Sequence, residues 1–219
     1  MLLASSYFIT GTDTAVGKTY IAAALVKHFV ASGYQTIGMK PIAAGYDLID
    51  GELTNADVQQ LTLASNVVAP PALITQYAFT VPIAPHIAAE QLGINISLDV
   101  INNAYLQLEK LAQVVIVEGA GGFFVPLATQ QQSYISMADL AGKLKLPIIL
   151  VVGMRLGCIN HALLTVEAIT SRGLLLAGWV ANQMDDTMLA YQENLSCLKQ
   201  LINAPCLAEV KWGETPNFE

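Results

Sequence analysis

Charge is scarce in this sequence. Asp, Glu, Lys and Arg make up 12% of its 219 residues, against about 25% in an average protein. With 54% hydrophobic residues, the chain has to bury much of its surface or cover part of it in a subunit interface. Long hydrophobic runs are missing too. The longest, Leu146 to Met154 and Leu174 to Ala181, fall far short of the about 20 residues that span a bilayer, so no membrane helix is expected. They read as strands buried on both faces of a parallel sheet. The N-terminus has no basic stretch, and a signal-peptidase cut near Thr10 would destroy the most informative motif of the chain, so no signal peptide is expected. Cysteine is sparse: Cys158, Cys197 and Cys206 form no CxxC pair. That speaks against a metal knuckle and for a reduced, cytoplasmic setting. No Lys/Arg cluster relieves the net charge of −7, which excludes nucleic acid as an expected partner. The three histidines, His28, His86 and His161, have no partner at metal-ligand spacing, and no Ser/His/Asp or Cys/His set presents itself.

What is present is alternation. Strands are expected over 7–10, 36–39, 114–117, 148–152 and 177–181, and helices over 18–32, 84–92, 98–111, 137–144, 160–171 and 187–202. Gly33, Gly93 and Gly173 stand where a left-handed residue ends a helix, and Ser97 and Asn160 suit N-caps. Such a pattern is expected for a single-domain α/β protein over 1–219: three layers, with a mostly parallel sheet covered by helices on both faces; the glycine-turned loop described next would make it a P-loop NTPase-like fold. The stretch 67–85, with four prolines, is expected to be a long loop of the kind that lines sites.

Three segments carry chemistry. The first is Gly11-Thr12-Asp13-Thr14-Ala15-Val16-Gly17-Lys18-Thr19 between a strand and a helix. Glycines let the backbone curl so that N–H groups face phosphate oxygens, and the helix N-terminus favours the anion. Lys18 can bridge the outer phosphates and the Thr19 hydroxyl can ligate magnesium. Five residues separate Gly11 from Gly17, one more than the common pattern. The second is an apolar strand ending in Glu118, followed by Gly119-Ala120-Gly121-Gly122. It delivers a carboxylate beside the P-loop in the Walker B manner, with Glu in place of Asp. The third is Lys40-Pro41 at the end of the second strand, which puts a second lysine on the same edge. Asp57 is either a magnesium ligand or the N-terminal acid of a helix.

Together these segments resemble the dethiobiotin synthetase family. The resemblance rests on the P-loop with its five-residue gap, on Lys40-Pro41, on Val117 to Gly122, on Leu156-Gly157-Cys158-Ile159-Asn160-His161 and on Ala177 to Asn182, and it spans about Tyr7 to Trp212. It implies a homodimeric cytoplasmic enzyme that uses ATP, carbon dioxide and 7,8-diaminononanoate with Mg2+. By the same resemblance Lys18 and Lys40 are the catalytic pair, and Thr19, Asp57 and Glu118 hold the metal. Nucleotide contacts fall to Thr14, Ala15, Val16, Gly17, Lys18, Thr19, Tyr20, Asp57, Glu118, Gly119, Ala120 and Gly121. Gln183 is a further nucleotide contact, and Asn182 would read the base, which Glu209, Val210 and Lys211 would line. The diamine would meet Ala44, Leu156, Gly157, Cys158, Ile159, Asn160 and Tyr191, those after Ala44 coming from or near the other subunit. The chain departs from the family at Ala44, usually serine, and at Lys211, usually proline, and its loop after Asn182 is about three residues short. ParA/MinD-type ATPases, the nearest rival reading, carry a signature lysine where this chain has Asp13. Cobyrinate amidating relatives need a glutaminase domain for which there is no room. An ATP-binding regulator remains the alternative from another class.

Overall fold

A computed structural model of the chain describes residues 5–49, 52–130 and 133–218. Its centre is β1 (Tyr7–Gly11), followed by α1 (Lys18–Ala31), β2 (Thr36–Met39), β3 (Ile42–Ala44) and the hairpin β4 (Asp47–Ile49) with β5 (Glu52–Thr54). Next come α2 (Ala56–Ala64), α3 (Pro71–Ile74), β6 (Tyr77–Phe79), α4 (Pro85–Gln91), α5 (Leu98–Leu108) and β7 (Val114–Glu118). The chain continues through the hairpin β8 (Pro126–Gln130) and β9 (Ser133–Ser136), then α6 (Met137–Leu144) and β10 (Ile148–Met154). It closes with α7 (Cys158–Ser171), β11 (Leu176–Gln183), α8 (Tyr191–Leu201) and β12 (Cys206–Val210).

Six of the strands form one sheet in the order β12-β11-β10-β1-β7-β2, parallel at every pairing. Strand alternation sorts its side chains to two faces. Tyr7, Ile9 and Ile149 pack with Ile21, Leu25 and Phe29 of α1 and Leu61 of α2. Phe8, Val115 and Val117 pack with Ile101, Leu108, Leu140 and Leu144 from α5 and α6, while Leu150, Val152 and Trp179 meet Ala162, Leu195 and Leu198 of α7 and α8. Each of the fully buried Ile and Leu side chains contributes about 1.5–3 kcal/mol. Connections run to one side of β1 through β7 and β2 and to the other through β10, so the order reverses at β1. In such sheets the crevice beyond the carboxyl ends at the reversal is where ligands bind.

The expected strands and helices all exist. Gly33, Gly93 and Gly173 have φ of +89°, +65° and +68°, and Ser97 caps α5 by accepting from the Val100 N–H at 3.5 Å. Asn160 does not cap α7. Gly157 holds that position at φ +94°, and the Cys158 N–H donates to the Arg155 carbonyl at 2.9 Å, so the turn starts without a side-chain cap. The last helix starts at Tyr191, not Thr187. The Thr187 backbone N–H and hydroxyl both donate to Asp185 Oδ1 at 2.8 and 2.7 Å, which ties the preceding residues into a local turn. Residues 67–85 are not wholly loop, since they hold α3 and β6, the latter paired in parallel with β3. β12 is a sixth sheet strand that the apolar pattern does not announce. Among the described residues no helix is long and apolar enough to cross a membrane.

Beyond β12 the chain runs back along α1. The Tyr20 hydroxyl donates to the Glu214 carbonyl at 2.7 Å, and Phe218 is buried with its ring edge-on to His28. The Trp212 N–H donates to Gln183 Oε1 at 3.4 Å.

Candidate active site

β1 releases the P-loop at Gly11, and the loop is laced to the end of β10. The Thr12 N–H donates to the Val151 carbonyl at 3.0 Å, and the Gly153 N–H donates to Thr12 Oγ1 at 3.3 Å. Asp13 adds a tie of its own, accepting from the Thr14 N–H at 2.7 Å and pairing with Arg155. Ala15 sits in the left-handed region at φ +56°, a strained conformation for a residue with a Cβ. Gly17 follows at φ +86°, where a Cβ would lie 2.2 Å from Asn182 Nδ2. Only glycine fits there, and it opens α1 with backbone N–H groups facing the cleft. Lys18 is folded back, its Nζ donating to the Asp13 carbonyl at 2.8 Å.

The opposite wall follows from strand register. Met39 stands opposite Val117, so the next residues of the two chains, Lys40 and Glu118, leave the sheet side by side. Lys40 Nζ lies 2.6 Å from Glu118 Oε1 and 2.6 Å from Asp57 Oδ2. Asp57 sits in the first turn of α2, which Asn55 caps by accepting from the Asp57 and Val58 N–H groups at 3.1 and 3.2 Å. The Thr19 hydroxyl closes the group, donating to Glu118 Oε1 at 2.7 Å.

Electrostatics separate these groups. Burial pulls Lys18 down to about 8, and Lys40 adds repulsion, while Glu118, Asp57 and Asp13 counter only in part. Burial acts on Lys40 as well, but the charges and hydrogen bonds of Glu118 and Asp57 outweigh it and hold the ammonium above the ordinary lysine value. Asp57 is held below the ordinary carboxylate range. Its burial is outweighed by Lys40, with help from the Thr19 hydroxyl and Lys18. Burial pushes the Glu118 carboxyl up, and Lys40 is its main counterweight.

These groups line a cleft of about 720 Å³ together with Thr14, Ala15, Gly17, Tyr20, Ala44, Ala120 and Gly121. One wall is apolar: Ile42, Pro82, Ile83, Ala84, Pro85 and Val125. Of these, only the proline-rich stretch was signalled in the sequence. Gln60, on α2, is a lining residue that nothing in the sequence singled out.

Other expected residues lie elsewhere. Val16 is buried, and its carbonyl accepts from Asn182 Nδ2 at 2.9 Å. The Gly119 N–H stays with the sheet, donating to the Ile9 carbonyl at 2.9 Å. Asn182 pairs in register with Val210, so Asn182, Gln183, Val210 and Lys211 gather at the carboxyl edge of β11 and β12, just outside the cleft lining. Glu209 is ion-paired with Lys199. Leu156, Gly157 and Asn160 are exposed beyond β10, with Ile159 half-buried and Cys158 buried. Tyr191 is half-buried against the core of α7 and α8, its hydroxyl buried with no partner among the described residues. None of this last group reaches the cleft of its own chain.

The donor set fits a hard divalent cation. Thr19, Asp57 and Glu118 offer oxygen only, and Glu118 Oε2 is buried without a hydrogen-bond partner. The described residues hold no group of three or more His, Cys, Asp and Glu that could hold a metal ion alone. Nucleotide and water would have to supply the remaining ligands, as is usual for magnesium.

A glycine-turned loop at a helix N-terminus, a facing strand-end carboxylate and a parallel sheet reversing between them define a P-loop nucleotide-binding protein. A family model described as an AAA domain matches residues 5–217. Solved structures agree on the fold alone. The signal recognition particle receptor FtsY from Elizabethkingia anophelis in complex with GDP superposes at TM-score 0.55 with 15% identity, over 100% of this chain and 61% of that one. The MinC:MinD cell division protein complex of Aquifex aeolicus gives 0.53 at 14% identity, over 94% and 81%. Sequence relatives are far nearer. The ATP-dependent dethiobiotin synthetase BioD of Aromatoleum aromaticum is 50% identical over 94% of this chain and 89% of its own length. That of Nitrosospira multiformis is 49% identical over 98% and 91%. The chain belongs to the ATP-dependent dethiobiotin synthetase family.

Proposed function

We propose that this chain closes the cyclic urea of dethiobiotin from 7,8-diaminononanoate, carbon dioxide and ATP, in the cytoplasm and as a homodimer. The observation that carries this reading is the pair of buried lysines on facing walls of one cleft, in a chain about half identical to dethiobiotin synthetases. One amino group of the diamine takes up carbon dioxide as a carbamate. The carbamate oxygen attacks the γ-phosphate, giving a carbamic-phosphoric anhydride and ADP. The second amine then attacks the carbamoyl carbon, and phosphate leaves as the ring closes.

Each step gathers negative charge between the two lysines, and preorganised cations in a water-poor site stabilise such charge most. Lys18 would leave the Asp13 carbonyl to meet the transferred phosphoryl group, and Lys40 would steady the carbamate. The P-loop from Thr14 to Thr19, with Tyr20, would hold the triphosphate, and Ala120 and Gly121 would flank it. Magnesium, held by Thr19, Asp57 and Glu118, would neutralise phosphate oxygens. Asn182 has its amide nitrogen engaged by the Val16 carbonyl and would present its carbonyl oxygen to the amino group of adenine, above Gln183, Val210 and Lys211. The apolar wall of Ile42, Ala44 and Ile83 suits the aliphatic stem of the diamine. Its carboxylate would be received by Leu156–Asn160 of the partner subunit, with Tyr191 near.

The test is direct. The purified protein, given ATP, magnesium, bicarbonate and diaminononanoate, should yield dethiobiotin by mass spectrometry with matching phosphate release. Phosphate release independent of the diamine, without product, would refute the reading and favour an ATPase switch.

A further inference from the structure

The ammonium of Lys40 occupies the gap between the two carboxylates. It lies 2.6 Å from Asp57 Oδ2 and 2.6 Å from Glu118 Oε1, and Thr19 Oγ1 donates to that same Glu118 oxygen at 2.7 Å. A cation that bridges Asp57 Oδ2 and Glu118 Oε1 therefore needs the space that the lysine nitrogen fills. Charge leads to the same conflict. The two carboxylates already have a cation in contact, so a free divalent ion has to displace Lys40, whereas a triphosphate brings negative charge of its own. Of the groups in contact, Glu118 is 1% exposed and fixed on a central strand. Lys40 has a flexible four-carbon stem and lines the cleft. The lysine is the part that can move.

We propose that Lys40 is the resident counter-cation of the metal position: it holds Asp57 and Glu118 together in the nucleotide-free protein and is exchanged out, into the cleft, when a magnesium-bound nucleotide arrives. The proposal rests on the reading that Thr19, Asp57 and Glu118 hold magnesium. It adds an order of events: metal enters with nucleotide, and its entry delivers the second ammonium to the acceptor side.

Thermal melting without nucleotide tests it. Millimolar magnesium should leave the melting temperature of the wild type unmoved. The Lys40→Met protein should melt lower, and the same magnesium should raise it, giving an apparent magnesium affinity at least about tenfold tighter than in the wild type. Equal responses in the two proteins would overturn the exchange. A different result, no magnesium response in either protein even with a nonhydrolysable ATP analogue present, would mean the metal assignment itself is wrong. The wild type gives a second measurement that does not depend on the variant folding. In lysine-labelled protein the Lys40 side-chain NMR signal should move when magnesium and the ATP analogue are added together, and hold its place with the analogue in EDTA. A signal that moves equally in both overturns the proposal.

Discussion

Lys18 and Lys40 reach the same cleft from opposite walls, one from the P-loop and one from the end of β2, and they are almost equally buried at 7% and 5% exposure. Burial alone would lower both. Lys18, whose hydrogen-bond partner is a neutral carbonyl, is pulled down to about 8. Lys40, clasped by two carboxylates, is held above the ordinary lysine value. The partner in contact, not the depth, decides which lysine holds its proton more tightly. The Lys40 wall is a closed ion cluster and the Lys18 wall an open one that lacks an anion, which a triphosphate can supply.

The strongest way to break this contrast is to remove the open lysine. Lys18→Ala should lower dethiobiotin formation at least about a thousandfold if, as proposed, Lys18 meets the transferred phosphoryl group, because the charge developing there then loses a cation. Circular dichroism should show the fold unchanged. Near-normal phosphate release would refute the assignment.

Stability then separates the two walls by sign. Lys40→Met leaves Glu118 buried without its cation, a defect that costs about 3–5 kcal/mol, and denaturant unfolding should show a loss of that order. Lys18→Met removes a buried ammonium that has no carboxylate contact, so it should stabilise the nucleotide-free protein. The pH dependence follows. The folded value of Lys18 lies below its unfolded value of 10.5, so between about 8 and 10.5 the unfolded chain binds more protons, and stability rises with pH across that window. The full effect is at most about 3–4 kcal/mol, about 2.5 pH units at ~1.36 kcal/mol each. Melting curves from pH 7.5 to 9.5 should rise in the wild type relative to Lys18→Met. Parallel curves would show that Lys18 keeps an ordinary value.

The smallest effect lies beyond Lys40, at Ala44. A hydroxyl there could reach the carbamate, so Ala44→Ser should lower the KM for the diamine by up to about tenfold, the equivalent of one hydrogen bond of ~1.4 kcal/mol. Steady-state kinetics decide it. A higher KM would mean that the wall around Ala44 has repacked to suit the smaller side chain.

The legible parts of this site are those built from adjacent residues. Strand, glycine turn, Lys18-Thr19 and helix follow one another in sequence, and Glu118 sits at the end of an unbroken apolar strand, so both announce themselves. What the sequence hides depends on partners far along the chain. β12 reads Cys-Leu-Ala-Glu-Val, too short and mixed to mark a strand, and it exists because β11 offers it an edge. Asn160 looks like a cap because asparagine usually is one, but Gly157 takes the position through its left-handed backbone. Asp57 was readable as a helix-start acid or a metal ligand. Its geometry serves both: it lies in the first turn of α2 and touches Lys40. The Asp13–Arg155 tie and the Tyr20–Glu214 bond join residues that no local pattern connects.

The two tryptophans of the chain turn this architecture into an optical signal. Trp179 is completely enclosed, while Trp212 is 61% exposed and is held by Gln183 at the edge where the base is proposed to rest. Excited together, they should give a blue emission deaf to acrylamide and a red one that acrylamide quenches. Only the red component has a reason to change colour or intensity when nucleotide is added, so the occupancy of the site can be followed by its own light, without a label.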